Sequence, residues 1–150
     1  MKGFSLIEVI IFVGILSLFF VTGMVVVTAS LRNMKVSEHK IVATQYAQEI
    51  TSWIRVQKET DWNTFVDNYT AVDPGKTYCF NNATIAWPDP NIANPCTNFS
   101  LGTPAIYKRE ITLIRSGTPP SKVEISITVA WNDAGNTYSV PLNTVLSRWE

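Results

Sequence analysis

Hydrophobic and polar positions change character along this chain. Residues 9–31 are 23 consecutive uncharged, mostly apolar residues. At 1.5 Å rise per residue, a helix of that length is about 35 Å long, enough to cross a hydrocarbon core of about 30 Å. No proline interrupts the stretch, and Gly14 and Gly23 are of a kind that membrane helices tolerate. The β-branched run Val25-Val26-Val27-Thr28 is a weak helix former in water. In lipid, where the backbone must satisfy its own hydrogen bonds, helix is favoured. From Arg32 to Lys58 there is again no Pro or Gly. Ala43, Tyr46, Ala47, Ile50, Trp53 and Ile54 recur at spacings of three and four, opposite Glu38, Lys40, Gln45, Gln48, Glu49 and Arg55. That is one face of an amphipathic helix. The two patterns join without a break signal. They predict one rod over residues 4–59, about 84 Å long. Its first half cannot be packed inside a domain of this size and must lie in membrane or against other copies.

After Thr60 the helical period fails. Residues 61–75, ending in Asp73-Pro74-Gly75, read as a loop closed by a turn. Residues 77–80 are a short strand candidate, and residues 81–104, rich in Asn, Pro and Thr, a long surface loop. A strand over 106–115 and a turn at Ser116-Gly117-Thr118-Pro119-Pro120 follow. Residues 122–131 alternate strictly, with Val123, Ile125, Ile127, Val129 and Trp131 on one face, as in a half-buried antiparallel strand. Residues 132–136 form a hairpin turn, and a last strand points Tyr138, Val140, Leu142 and Leu146 inward. Pro141 removes an amide donor, so that strand lies at a sheet edge or pairs on its other side. A meander of three to four strands needs one face covered, and the apolar side of residues 43–54 is the cover. The expected class is α+β: a long N-terminal helix packed on a C-terminal antiparallel meander. The expected organisation is a membrane half (4–31), an amphipathic half (32–60) and a globular β region (61–150) with a loop at 79–96.

Charge changes the picture little. Twelve basic and twelve acidic side chains give a formal net charge of zero. That argues against a nucleic-acid partner, which needs a surplus of Lys and Arg on one face. Charged residues make up 16% of the chain, and the deficit is concentrated in residues 4–31.

Cys79 and Cys96, beyond an apolar N-terminus, suggest export to an oxidising compartment and one disulfide, against the alternative of two free thiols. The bond would close a Pro/Asn-rich loop and add about 3 kcal/mol in the chain-entropy model. Two Cys and a distant His39 do not make a zinc ligand set. His39 lies among Ser37, Glu38 and Lys40 and reads as solvated.

No catalytic constellation, nucleotide-binding loop or cofactor motif is present in the sequence. Asp73 and Asp89 lie in loops beside Asn, without the ordered acidic pattern of a calcium site. Asn68-Tyr69-Thr70, Asn82-Ala83-Thr84 and Asn98-Phe99-Ser100 are glycosylation sequons at a frequency not far from chance. Trp62 and Trp87 are loop aromatics for which burial is a better account than binding a surface.

One acid stands out. From Phe4 to Leu31 the only charged side chain is Glu8. An ionisable group inside a membrane segment is costly and marks function, with a partner to be named. A secretory signal peptide cut before Ser30 fits poorly, because the apolar run exceeds the usual 7–15 residues and an acid near its start is out of place. If the chain is cut after Gly3, Phe4 carries a free α-amine, largely protonated at pH 7. That cation can pair with Glu8 of its own chain or of a neighbour.

Lys2-Gly3 followed by Phe4-Ser5-Leu6-Ile7-Glu8-Val9 resembles the class III signal of type IV pilins and type II secretion pseudopilins. The resemblance is specific over residues 2–31 and architectural beyond. The final stretch, residues 123–149, is similar to the C-terminal strands of minor pilins of the pilus-modification type. The resemblance implies a prepilin peptidase that cuts between Gly3 and Phe4 and methylates Phe4. It implies that Glu8 neutralises the N-terminus of an adjacent subunit. The rods would bundle with other pilin subunits, drawn from the inner membrane by an assembly machinery, with the globular region outside. Many major pilins carry a helix-bending proline in the second half of the apolar segment, and Thr22-Gly23-Met24-Val25 has none. The expected function is a structural subunit of a type IV pilus or related filament. The alternatives are a type II secretion pseudopilin and a membrane-anchored extracytoplasmic binding domain that does not polymerise.

Overall fold

The computed structural model of the chain describes residues 5–117 and 119–148. Helix α1 (Leu6–Thr60) is followed by α2 (Trp62–Tyr69) and four strands, β1 (Lys76–Cys79), β2 (Tyr107–Ser116), β3 (Lys122–Asp133) and β4 (Asn136–Ser147). The class is α+β, as expected, with the long helix and antiparallel meander that the resemblance implies. The chain divides into two units, Met1–Glu38 and His39–Glu150.

In the first unit α1 is apolar and bare. Its most hydrophobic window is 0% buried, and it is long and apolar enough to cross a membrane. Large side chains are exposed all round it, among them Leu6, Ile10, Phe12, Phe19, Phe20 and Met24. Three hydroxyls within it turn inward on the backbone. Ser17 donates to the Gly14 carbonyl (2.8 Å), Thr22 to Phe19 (2.9 Å) and Thr28 to Met24 (2.9 Å). Such back-bonding satisfies a donor that has no water in lipid.

In the second unit the remainder of α1 packs on a sheet of order β1-β2-β3-β4, every pair antiparallel. Ala43, Ala47, Ile50 and Ile54 form the buried seam of the helix. They meet the inner face of the sheet, built from Tyr78, Ile111, Leu113, Val123, Ile125, Ile127 and Val129. Three helix rings seven residues apart flank the seam. His39 packs against Tyr107 and Trp131, Tyr46 against Tyr107, and Trp53 against Phe80. Helical spacing of seven is nearly two full turns, so the three rings share one side of the helix.

Two expectations about the elements are corrected. Residues 62–69 are helix α2, not loop. Asp61 adopts an extended backbone and its carboxylate accepts from the Thr64 amide (3.1 Å), capping the helix. Trp62, Phe65, Val66 and Tyr69 then fall on one face. The hairpin turn is also tighter than five residues. Strand pairing continues to Asp133 and Asn136, leaving only Ala134 and Gly135 at the tip, both with positive φ (50° and 81°). A two-residue turn of this hand matches the strand twist, and glycine accepts it without a Cβ penalty. As expected, Tyr138, Val140, Leu142 and Leu146 share the inner face of edge strand β4, the first three half-buried and Leu146 buried. Pro141 falls on that edge strand, where its missing amide hydrogen need not break a ladder.

Two buried polar atoms lack a hydrogen-bond partner among the described residues, Tyr78 Oη and Trp131 Nε1. Burial pushes the Tyr78 hydroxyl up to about 12, and the nearby Tyr69 adds to the shift. A tyrosine whose folded value is raised loses stabilising effect as pH rises above the unfolded value of about 10. Stability of the wild type is therefore expected to fall between pH 10 and about 12. Tyr78→Phe removes the unpaired hydroxyl and is expected to raise stability at pH 7 by about 1 kcal/mol. Unfolding of both proteins at pH 7 and pH 11 checks this, the gap widening at the higher pH.

Candidate functional site

Three regions hold the residues singled out by sequence. At the helix start, Gly3 and Phe4 lie outside the described residues. Ser5 precedes α1, and its carbonyl accepts from the amides of Glu8 (3.0 Å) and Val9 (3.4 Å). Glu8 is exposed in the first turn, where its carboxylate stands at the positive end of the helix.

The second region is the inner face of β2. Arg109 alternates inward with Tyr107, Ile111 and Leu113, and is 1% exposed. Its Nε donates to the Phe80 carbonyl (3.1 Å). Its Nη1 donates to the Tyr46 carbonyl (3.2 Å) and to Glu49 Oε2 (3.0 Å). The guanidinium also stands over the Tyr46 ring, 5.9 Å from its centroid. Burial pulls Arg109 below its usual value, while the Glu49 carboxylate holds it up. The group stays charged at any physiological pH, because an arginine starts above 12. One side chain therefore ties helix, β2 and the start of the loop after β1. Alternation along the expected strand puts Arg109 on the face of Tyr107, Ile111 and Leu113, but nothing local in the sequence shows the partners that bury it.

The loop after β1 is the third region. Cys79 and Cys96 are joined, with S–S 2.06 Å and Cα–Cα 4.8 Å. Asn81 reinforces the clamp. Its Oδ1 accepts from the Arg109 amide (2.9 Å) and its Nδ2 donates to the Asn98 carbonyl (2.7 Å). Trp87 folds into a cluster of rings. It stacks on Tyr69 (centroids 3.9 Å, 11° between planes) and touches Trp53, Phe65, Tyr78 and Phe80. Its Nε1 donates to Gln57 Oε1 (3.2 Å). Trp62 is half-buried against Phe65.

The remaining residues are dispersed. His39 is not solvated as expected. It is half-buried, and its Nδ1 shares a 2.7 Å hydrogen bond with the Tyr107 hydroxyl. Alternation had put Trp131 on the inner face of its strand, but that it and Tyr107 meet His39 is decided by tertiary packing. Asp73 and Asp89 are exposed in loops, and among the described residues no group of three or more His, Cys, Asp or Glu is placed to hold a metal ion. Of the sequons, Thr70 is buried with its hydroxyl bonded to the Val66 carbonyl, whereas Asn82 and Thr84 are exposed.

Comparison with protein-family models, with curated proteins and with solved structures returns no match for the chain. The site must be read from its own residues.

Arg109→Ala is expected to destabilise the protein by about 3–5 kcal/mol, because it strips a buried cation from its acceptors and leaves a void. Glu49→Gln, which keeps an acceptor at the half-exposed end of the pair, is expected to cost about 1 kcal/mol or less. Chemical unfolding of the two variants gives that order; equal losses would show that the ion pair, not the carbonyl bonds, dominates.

Proposed function

We propose that the chain is a structural subunit, a pilin of the minor kind, of a type IV pilus or related filament. The single observation that carries this reading is the bare apolar helix. From Leu6 to Leu31 its large side chains are exposed on every side among the described residues. Apolar surface of that extent is stable only in lipid or against other apolar surface. A membrane precursor and a bundle of copies supply the two environments in turn. The signal-like stretch Lys2-Gly3-Phe4-Ser5-Leu6-Ile7-Glu8 supports the same order of events.

In this mechanism a prepilin peptidase cuts between Gly3 and Phe4 while the precursor spans the bacterial inner membrane. The cut creates an α-ammonium four residues before Glu8. N-methylation of Phe4 preserves the positive charge. Each charge alone in hydrocarbon is costly, and a carboxylate–ammonium pair between adjacent subunits removes both costs together. The pair also sets the axial register of neighbouring rods. The globular unit, closed by its disulfide, then faces outward on the filament. A pseudopilus of a type II secretion system would use the same chemistry.

Glu8→Gln separates charge from size. Glutamine has nearly the shape of glutamate and still forms hydrogen bonds but carries no charge. The variant is expected to stay in the membrane fraction at wild-type level and to drop sharply out of sheared filaments, as are Glu8→Ala and Glu8→Leu. Normal incorporation of Glu8→Gln would end the ion-pair argument. Mass spectrometry of the mature N-terminus is expected to give a methylated Phe4. An intact Met1 would point instead to a permanent anchor on a binding domain.

A further inference from the structure

A groove of about 160 Å³ opens where α1 ends and α2 begins, lined by Gln57, Thr60, Asp61, Thr64, Phe65, Tyr69 and Trp87. Its apolar wall is the stacked Tyr69–Trp87 pair with Phe65 beside it. The charge on its lining is the carboxylate of Asp61. That carboxylate is held in one orientation, with Oδ1 accepting from the Thr64 amide (3.1 Å) and Oδ2 from the Thr64 hydroxyl (2.6 Å). Each oxygen keeps a second acceptor position. The same two bonds hold the Asp61 carboxyl below the usual carboxylate range, so it is ionised at neutral pH.

The electrostatics favour a cation. Lys58 and Lys76 flank residues 59–75 and Asp67 faces Arg115 at 3.9 Å, so the charge that matters at the groove is that of Asp61, the one ionisable carboxylate on its lining. The negative end of α1 and the positive end of α2 meet at Asp61, so their dipoles oppose one another and leave the carboxylate in charge of the site. Lys58, in the last turn of α1, is buried and does not line the groove. An aromatic face beside a fixed carboxylate suits a planar cation best. A guanidinium can stack on the ring and present two parallel N–H donors to the two oxygens.

We infer that this groove receives an arginine side chain presented by the surface of a partner protein. The groove admits one head group, not a length of chain, so it acts as a specificity point within a wider contact. The guanidinium lies on the Trp87–Tyr69 wall and bridges to Asp61, while its alkyl stem covers apolar surface. The inference uses only the globular unit and does not depend on polymerisation.

The test uses the full chain in a polyoxyethylene detergent, which brings neither charge nor sugar. N-acetyl-L-arginine amide is titrated while the Thr64 amide and Trp87 indole resonances are followed. Saturable shifts at both are expected, with tighter binding than N-acetyl-L-lysine amide. Asp61→Asn keeps the helix cap, since Asn caps as well as Asp. It is expected to weaken arginine binding on the order of tenfold. Four results overturn the inference: no saturable shift, unchanged affinity in Asp61→Asn, equal binding of the lysine probe, or equal binding of methyl glucoside, which would make the groove a sugar platform.

Discussion

The helix-on-sheet contact in the second unit rests on a narrow seam: Ala43, Ala47, Ile50 and Ile54, all 0% exposed. Alanines in such a seam let a helix approach a sheet closely, and the larger Ile side chains fill the space where the approach widens. Burial of this kind is non-directional and would tolerate sliding or rotation of the helix. Arg109 removes that freedom. Its three polar partners, on α1 and at the end of β1, must all be met at once, and leaving a buried guanidinium unpaired costs several kcal/mol. Hydrophobic area thus supplies the attraction, and one buried cation selects the register. The rings of His39, Tyr46 and Trp53 extend the contact along one side of the helix toward Tyr107, Trp131 and Phe80.

The rest of the second unit is organised around Trp87. A loop as polar as residues 81–104 has little reason to lie down on a protein surface. One indole in contact with five rings gives it that reason, and the Cys79–Cys96 bond with Asn81 holds the two ends of the descent. Helix α2 belongs to the same cluster. Eight residues are too few for a helix to persist in water on propensity alone. Asp61 caps it, and Phe65 and Tyr69 pack it against Trp87. The charged groove proposed for an arginine is a by-product of that packing: it is where two helix ends and the tryptophan loop converge.

Residues 6–31 obey the opposite rule. Among the described residues their large side chains are exposed, so their free energy is set by whatever medium surrounds them. Ser17, Thr22 and Thr28 bond their hydroxyls back to the helix itself. Glu8 is the exception. On the proposed reading it is the one charged group in the segment, and another molecule must neutralise it, which is how a single carboxylate can direct assembly.

Much of this was legible in the sequence because it depends on period and composition. The apolar run of residues 9–31 permits few structures, since lipid admits only a backbone that bonds to itself. The three-and-four spacing of Ala43 to Ile54 named the buried seam residue by residue, and the strict alternation from Val123 to Trp131 named the inner face of β3. Cys79 and Cys96 were apparent as a pair. What the tertiary structure alone decided depends on partners distant in sequence. Arg109 is buried because Glu49, Tyr46 and Phe80 surround it, His39 because Tyr107 and Trp131 stand beside it, and α2 is a helix because Trp87 waits for its rings. Local pattern reports which way a side chain points. It does not report what a residue sixty places away has put there to meet it.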